Sequence, residues 1–360
     1  MGQSIFDPRR TLEQRTRAVS NLFDFLVKGG IADTTRMPAE LIDDGPQRSL
    51  YRYEPADSVE SRGVPVLMVP PLGAAATCFD LRRGCSVAEH LVTGGRPTYL
   101  VDYGPLGFSD RELGLEYWVG DVIPAAVQKV SQDAGGAPVA LLGWCLGGIF
   151  SLLTAAAFPD LPISSVAMVA SPFDFSKNPM LAPVRAIGKV TGGKVVGGTA
   201  RVLGGLPSQL VGPAFKATSL PTYIKKPLTL YKRRDDRDFL AQVEAIDKLM
   251  NNAQTYPGRA TLQAYQRLLH GNELATGKIQ GPTRLVDLAD VRVPVINVAG
   301  SSDVLVPKAA AHHVGELLTG SPDVRLPEAP GGHLGVLTGA RASGTTWAQI
   351  DEFLDAHAPR

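Results

Sequence analysis

One stretch constrains this chain more than any other: Leu141-Leu142-Gly143-Trp144-Cys145-Leu146-Gly147-Gly148. The apolar run Pro138–Leu142 before it reads as a buried strand. The run Ile149–Ala157 after it reads as a helix. Between them lies G-x-C-x-G. Gly143 and Gly147 leave room for a very tight strand-to-helix turn. Cys145 then stands in strained backbone at a helix N-terminus, where the partial positive charge favours a thiolate. The alternative, a free buried cysteine beside chance glycines, does not explain the strand and helix on either side.

The rest of the chain supplies the setting for such a turn. Val64–Val69, Thr98–Asp102, Ser165–Ala170 and Pro294–Ala299 are apolar along most of their lengths, and helical runs separate them. That alternation predicts a parallel sheet with helices on both faces. Ser86-x-x-Glu89 opens a short helix closed by Gly94-Gly95, and residues 116–134 form a crossover helix. Leu50–Tyr53 is expected as an edge strand. Lys308–Leu318 is a helix, Asp323–Leu326 a final short strand, and Thr346-x-x-Gln349 caps a last helix near Trp347–His357. At the front, residues 11–28 read as an amphipathic helix stopped by Gly29-Gly30. Its stripe of Val19, Leu22, Phe23 and Leu26 is expected to pack inward, with docking of a second subunit as the alternative.

The alternation breaks at residues 175–285. Gly188, Gly192, Gly193, Gly197, Gly198, Gly204 and Gly205 crowd one stretch with Lys189, Lys194 and Arg201, followed by the charged run Lys232–Asp238 and a helical pattern over Phe239–Met250. A chain of 360 residues is long enough to carry an insertion in one large domain. The expected organisation is a helical N-terminal extension over 1–45, a core over 46–174 and 286–360, and an inserted cap over 175–285. The glycines suit either plain loops or a functional lid, and the charged run suits a solvated helix start.

The formal net charge of +1 offers no argument for nucleic acid. Three cysteines without metal-type spacing fit a reducing compartment, and no metal is expected. Arg9, Arg10 and Glu13 interrupt any leader-like apolar run. No stretch reaches the roughly 18–20 apolar residues of a membrane span. A cytoplasmic protein is expected, with peripheral attachment to a lipid or polymer surface left open.

A nucleophile needs a base, and the base needs a partner to orient it. Asp303 follows the Val295–Ala299 strand directly, and His333 follows the last strand in the same manner. Loops beyond the carboxyl ends of parallel strands are where such sheets keep their sites. The chain order Cys145, Asp303, His333 is that of α/β-hydrolases. Asp102 also ends a strand and rivals Asp303, but it precedes the elbow. His90, His270, His312, His313 and His357 lack a strand-end setting, and Cys78 and Cys85 read as structural. Backbone N–H groups of Leu146 and, beyond the donorless Pro70-Pro71, of Leu72 are the candidate oxyanion hole. Cysteine in place of serine favours acyl transfer: a thiolate attacking a thioester makes another thioester, so the acyl group stays activated.

These residues resemble polyhydroxyalkanoate synthases, above all the short class III catalytic subunit. Gly143–Gly148 is similar to the synthase lipase-like box and Ala167–Phe175 to the segment entering the synthase cap. Ser302–Pro307 and Pro330–Gly335 resemble the Asp and His segments. The resemblance covers the chain from about Tyr51 onward. Two segments depart from it: Leu72–Asp80 lacks the family's Asn and aromatic residues, and Asp102-Tyr103 stands for Asp-Trp. The resemblance implies an α/β-hydrolase fold with a cap and a triad of Cys145, His333 and Asp303. It further implies 3-hydroxyacyl-CoA as substrate rather than a resident cofactor, a hydroxyl acceptor or growing polyester, and a homodimer or a second synthase subunit as partner. Lys189, Lys194, Lys225 and Lys226 are read as surface charge, with the CoA phosphates as the alternative. The rival expectations are a thioesterase or ester hydrolase using the same triad, and a non-catalytic granule-associated protein.

Overall fold

The protein is described here by a computed structural model, covering residues 11–56, 59–182, 185, 205–211, 213, 220–281 and 283–358. The expected glycine- and lysine-rich stretch around Gly188–Gly204 lies outside them.

Nine strands among the described residues form one sheet. In chain order they begin with β1 (Ala39–Gly45), β2 (Arg48–Tyr53), β3 (Val66–Val69), β4 (Thr98–Asp102), β5 (Val139–Trp144) and β6 (Ile163–Val169). Two short ladders away from the sheet follow: β7 (Gly205–Leu206) pairs with β8 (Tyr256–Pro257), and β9 (Lys278–Gln280) with β10 (Leu285–Asp287). The chain then returns to the sheet as β11 (Val295–Gly300), β12 (Val324–Arg325) and β13 (Glu328–Ala329). The spatial order is β1-β2-β4-β3-β5-β6-β11-β12, with β13 also pairing β11. From β4 to β12 every pairing is parallel, while β1–β2 and β2–β4 are antiparallel.

The largely apolar strands are explained by a core on each face. Strand side chains alternate with period two. Leu67, Leu141, Val166 and Val295 therefore face one core with Trp118 and Phe150. Met68, Leu142, Ala167 and Ile296 face the other, with Phe79, Trp347 and Phe353. The crossover segment runs from Leu115 to Asp133 through a π-helical turn at Trp118–Val122. The helices used below are α1 (Leu12–Val27), α2 (Val87–Thr93), α3 (Ile123–Asp133), α4 (Leu146–Ala157), α5 (Leu220–Lys232), α6 (Arg237–Asn251), α7 (Lys308–His312) and α8 (Ala348–Ala356). None among the described residues is long and apolar enough to cross a membrane.

Several expectations need correction. Leu50–Tyr53 lies in β2, which is paired on both sides, and β1 is the edge. Residues 39–45, expected within a helical extension, belong to the sheet. The strand expected to be last is followed by β13, from which the chain runs into the His333 loop. Lys308–Leu318 is broken at His313. Thr346 does not cap α8: it sits inside a π-helical turn, and its hydroxyl is buried without a hydrogen-bond partner. On α1 the expected apolar stripe is not buried at its described side chains, that of Leu26 lying outside them. Val19, Leu22 and Phe23 are exposed, whereas Asn21 and Asp24 are buried. The polar face turns inward because Asn21 Nδ2 donates to the Arg234 carbonyl and Asp24 pairs with Arg237.

Phe150 is 1% exposed, and its ring lies nearly parallel to Trp118 with centroids 6.2 Å apart. Truncation at such a packed site costs about 3–5 kcal/mol. Phe150→Ala is expected to lower the urea-unfolding free energy by that amount. A loss well under 1 kcal/mol, measured by the same titration, would mean that α4 does not depend on this contact.

Candidate functional site

Cys145 joins β5 to α4 with φ 52° and ψ −117°. Positive φ is costly for a residue with a side chain, so the surroundings must hold it. They do so through glycines at points of close approach. A Cβ on Gly143 would collide with the Gly147–Gly148 backbone, and one on Gly147 with the Val69 carbonyl oxygen at the end of β3. The Cys145 amide donates to the Val169 carbonyl at 2.9 Å, and the Cys145 carbonyl accepts from Gly148 and Ile149. The elbow is thereby pinned between β3 and β6, and the cysteine side chain is left half-buried at the base of a cavity.

Asp303 and His333 converge on the same place. The Asp303 carboxylate is buried. One oxygen accepts from the Leu305 and Val306 amides at 2.9 and 2.8 Å, and the other pairs with His333 Nδ1 at 2.8 Å. Each oxygen is thus given a separate task by the turn that follows β11. The two loops are laced together: Ser301 N–H donates to the Ala329 carbonyl and Ser302 N–H to that of Gly331. Trp144, next to the cysteine, donates from Nε1 to the His333 carbonyl at 3.2 Å and sets its indole against the imidazole, centroids 5.2 Å apart.

Burial alone would push the imidazole toward its neutral form. The Cys145 sulfur and the Asp303 carboxylate outweigh it, each favouring the cation through charge and hydrogen bonding, so the His333 pKa is raised. The imidazole is thus tied to the carboxylate through Nδ1 and lines the same cavity as the Cys145 sulfur.

The competing residues are occupied elsewhere. Asp102 accepts from the Gly104 amide, and His90 pairs with Asp351. His312, His313 and His357 engage backbone carbonyls of Pro327, Ala275 and Phe353. His270 stacks on Tyr265. Cys78 is fully buried, which raises its pKa, and Cys85 donates to the Thr338 carbonyl. Leu72 follows the two prolines after β3 and lines the cavity with Cys145, and Leu146 opens α4.

The cavity holds about 710 Å³ and is mostly apolar. Its floor is Cys145, His333 and Leu72, and its roof is Phe239, Ile246 and Met250 of α6 with Lys226 of α5. Lys226 pairs with Asp247 there, and Lys189 and Lys194 lie outside the described residues. Among the described residues no three His, Cys, Asp or Glu are grouped as metal ligands.

Four contributors escaped the sequence reading. Trp144 braces the histidine loop; its bulk inside an otherwise small-residue turn was the available signal. The Tyr103 hydroxyl donates to the Pro70 carbonyl, holding the loop that carries Leu72. From the far side Gln254 N–H donates to the Gly73 carbonyl, and the Tyr256 ring packs on Gly73 so closely that a Cβ there would overlap it. No local pattern announces the last three, because they act across long separations in the chain.

A parallel sheet, a strained cysteine elbow and an acid–histidine pair on later strand-end loops together define a hydrolase-type α/β architecture. The chain belongs to the alpha/beta hydrolase family, whose family model matches residues 65–343. It is similar to the poly(3-hydroxyalkanoate) polymerase subunit PhaC of Synechocystis, at 29% identity over 78% of this chain and 74% of that one. Its similarity to the protein of the same name from Allochromatium vinosum is 27% over 82% of each. The fold is also that of a soluble variant of monoglyceride lipase from Saccharomyces cerevisiae, with TM-score 0.56 and 16% identity over 91% of this chain and 98% of the other. A bromoperoxidase from Bacillus anthracis shares it at TM-score 0.50 and 14% identity, over 88% and 99%.

Asp303→Asn removes the carboxylate charge that favours the imidazolium. The His333 ring is then expected to titrate at lower pH than in the parent protein, followed by NMR of its ring protons. An unchanged titration would show that the carboxylate does not hold the cation.

Proposed function

We propose that the protein is an acyltransferase of the polyhydroxyalkanoate synthase type, taking acyl groups from 3-hydroxyacyl-CoA onto Cys145. The observation that carries this reading is a buried carboxylate bonded to an imidazole that shares its cavity with a cysteine at a strained elbow. The similarity to the two PhaC subunits supports the choice of substrate class.

In the proposed cycle His333 takes the thiol proton of Cys145. The sulfur attacks the thioester carbonyl while the Leu72 and Leu146 N–H groups stabilise the oxyanion. The carbon–sulfur bond to CoA breaks, and the proton held by His333 leaves with the CoA sulfur. His333 next removes the proton of an incoming hydroxyl, whose oxygen attacks the Cys145 thioester; the bond from the acyl carbon to the Cys145 sulfur breaks, the acyl group leaves as an ester, and His333 returns the proton to the sulfur. Asp303 keeps the imidazole in the tautomer this requires. No resident cofactor enters the scheme. Within the cap expected over 175–285, α5 and α6 would cover the reacting groups, since both line the cavity that holds Cys145. Second copies, a second subunit and a granule surface remain the proposed surroundings of a chain that works at a polymer boundary.

Hydrolysis by the same residues is the rival reading, and the departure of Leu72–Asp80 from the synthase pattern favours it. Incubation with 3-hydroxybutyryl-CoA decides. Polymer formed together with CoA is the expected result; free acid matching CoA mole for mole rejects synthesis. Cys145→Ala is expected to lower CoA release by about a thousand-fold or more, as loss of a covalent nucleophile does, and mass spectrometry should find the acyl mass on Cys145 in the parent protein. Full CoA release by the Cys145→Ala protein would remove the sulfur from the mechanism.

A further inference from the structure

Tyr256 has no task in the scheme above, although it lines the catalytic cavity together with Cys145, His333 and Leu72. It opens β8, shortly after α6 ends at Asn251. Its main chain is held from several sides. Before it, the Gln254 amide donates to the Gly73 carbonyl at 3.0 Å. After it, the Arg259 and Ala260 amides donate to the carbonyls of Arg111 and Leu113, at 2.8 and 3.0 Å. Thr261 Oγ1 donates to the Tyr256 carbonyl at 3.3 Å. Gly205 of β7 closes over that carbonyl so tightly that a Cβ there would overlap the oxygen. The ring is therefore carried by a fixed piece of backbone.

The phenolic end of the ring lies beside the oxyanion loop. A Cβ on Gly73 would run into Cε2, Cζ and Cδ2 of Tyr256. Cζ carries the hydroxyl, and Gly73 directly follows Leu72, whose N–H is a candidate oxyanion donor. Burial, and after it the charge of Cys145, raise the Tyr256 pKa, so the hydroxyl keeps its proton at neutral pH. No hydrogen bond enters that balance, and among the described residues none is bonded to this hydroxyl. A protonated donor at a partly buried site is costly unless a bound group accepts from it. The hydroxyl of Tyr265 also lacks a partner, but it is buried and does not line the cavity.

We propose that Tyr256 is a further catalytic residue, its hydroxyl donating a hydrogen bond to the acyl oxygen that becomes the oxyanion when the Cys145 sulfur attacks. This rests on the reading of Cys145 as acyl carrier. It gives that oxygen a side-chain donor beside the Leu72 and Leu146 N–H groups, supplied from the expected 175–285 cap. A donor already in place strengthens its bond as negative charge gathers on the oxygen. The phenol keeps its proton throughout, and the bond weakens again when the carbonyl re-forms.

The test is Tyr256→Phe, which keeps the ring against Gly73 and removes the oxygen. For CoA release from 3-hydroxybutyryl-CoA and from butanoyl-CoA alike, kcat is expected to fall about ten-fold or more, toward the scale of losing one oxyanion donor, with KM near the parent value. Tyr265→Phe is expected to keep the parent kcat. An unchanged kcat in Tyr256→Phe, or a loss in KM alone, overturns the proposal. A fall confined to 3-hydroxybutyryl-CoA also overturns it, by assigning the phenol to the substrate hydroxyl. A second arm needs no turnover. Trifluoromethyl propyl ketone accepts the Cys145 sulfur at its carbonyl carbon, the carbonyl oxygen takes the electron pair as an alkoxide, and the thiol proton passes to His333. The inhibition constant of this ketone, read from its protection of Cys145 against iodoacetamide, is expected to rise about ten-fold in Tyr256→Phe. Equal constants in parent and variant overturn the donor. If the parent protein releases no CoA while Tyr256→Phe still weakens the ketone, the acyl-carrier reading fails and the donor stands. A parent protein that the ketone does not protect forms no oxyanion at Cys145, and the proposal falls.

Discussion

Everything at this site depends on how closely the start of α4 approaches the end of β3. The helix can begin there only because Gly147 has no side chain to meet the Val69 carbonyl. The turn into it can be that tight only because Gly143 has none to meet the following backbone. With both in place, Cys145 is forced to φ 52° and its sulfur is raised above the sheet. The strain is not released because the elbow amide is tied to β6 and the helix behind is buried in a core of aromatic rings. A small steric allowance at two positions thus fixes where Cys145 stands.

The other half of the site arrives by a separate route. β11 and β13 run parallel and release two loops side by side, and the backbone bonds from Ser301 and Ser302 hold those loops in register. The Asp303 carboxylate is spent entirely on backbone amides and the imidazole, so neither oxygen is free to turn away. Trp144 then links this half to the elbow itself. The elbow and the acid–histidine pair, distant in sequence, are joined through one indole.

Much of this was legible from residue order alone, for physical reasons. Strands buried on both faces are largely apolar, so β3, β4, β5, β6 and β11 stood out within a residue or two. Loops at strand ends singled out Asp303 and His333 among the acids and histidines. What could not be read was set by contacts between remote segments. β1 has a charged sequence and exists because β2 offers it a partner. The face that α1 turns inward was misjudged because periodicity reports which residues are apolar, whereas Asn21 and Asp24 are drawn in by specific partners near α6. Thr346 matched a capping pattern, yet a π-helical turn begins before it and absorbs the position.

Gln242 of α6 has a reach that the cavity description leaves implicit. Its side chain accepts from buried Arg82 at 2.7 Å and donates to the Thr338 carbonyl at 2.6 Å. Thr338 ends the short helical turn Gly335–Thr338, which begins two residues after His333. The cavity roof and the His333 loop are thus braced against each other through one side-chain amide, and a displacement of α6 would be felt at the peptide behind the imidazole.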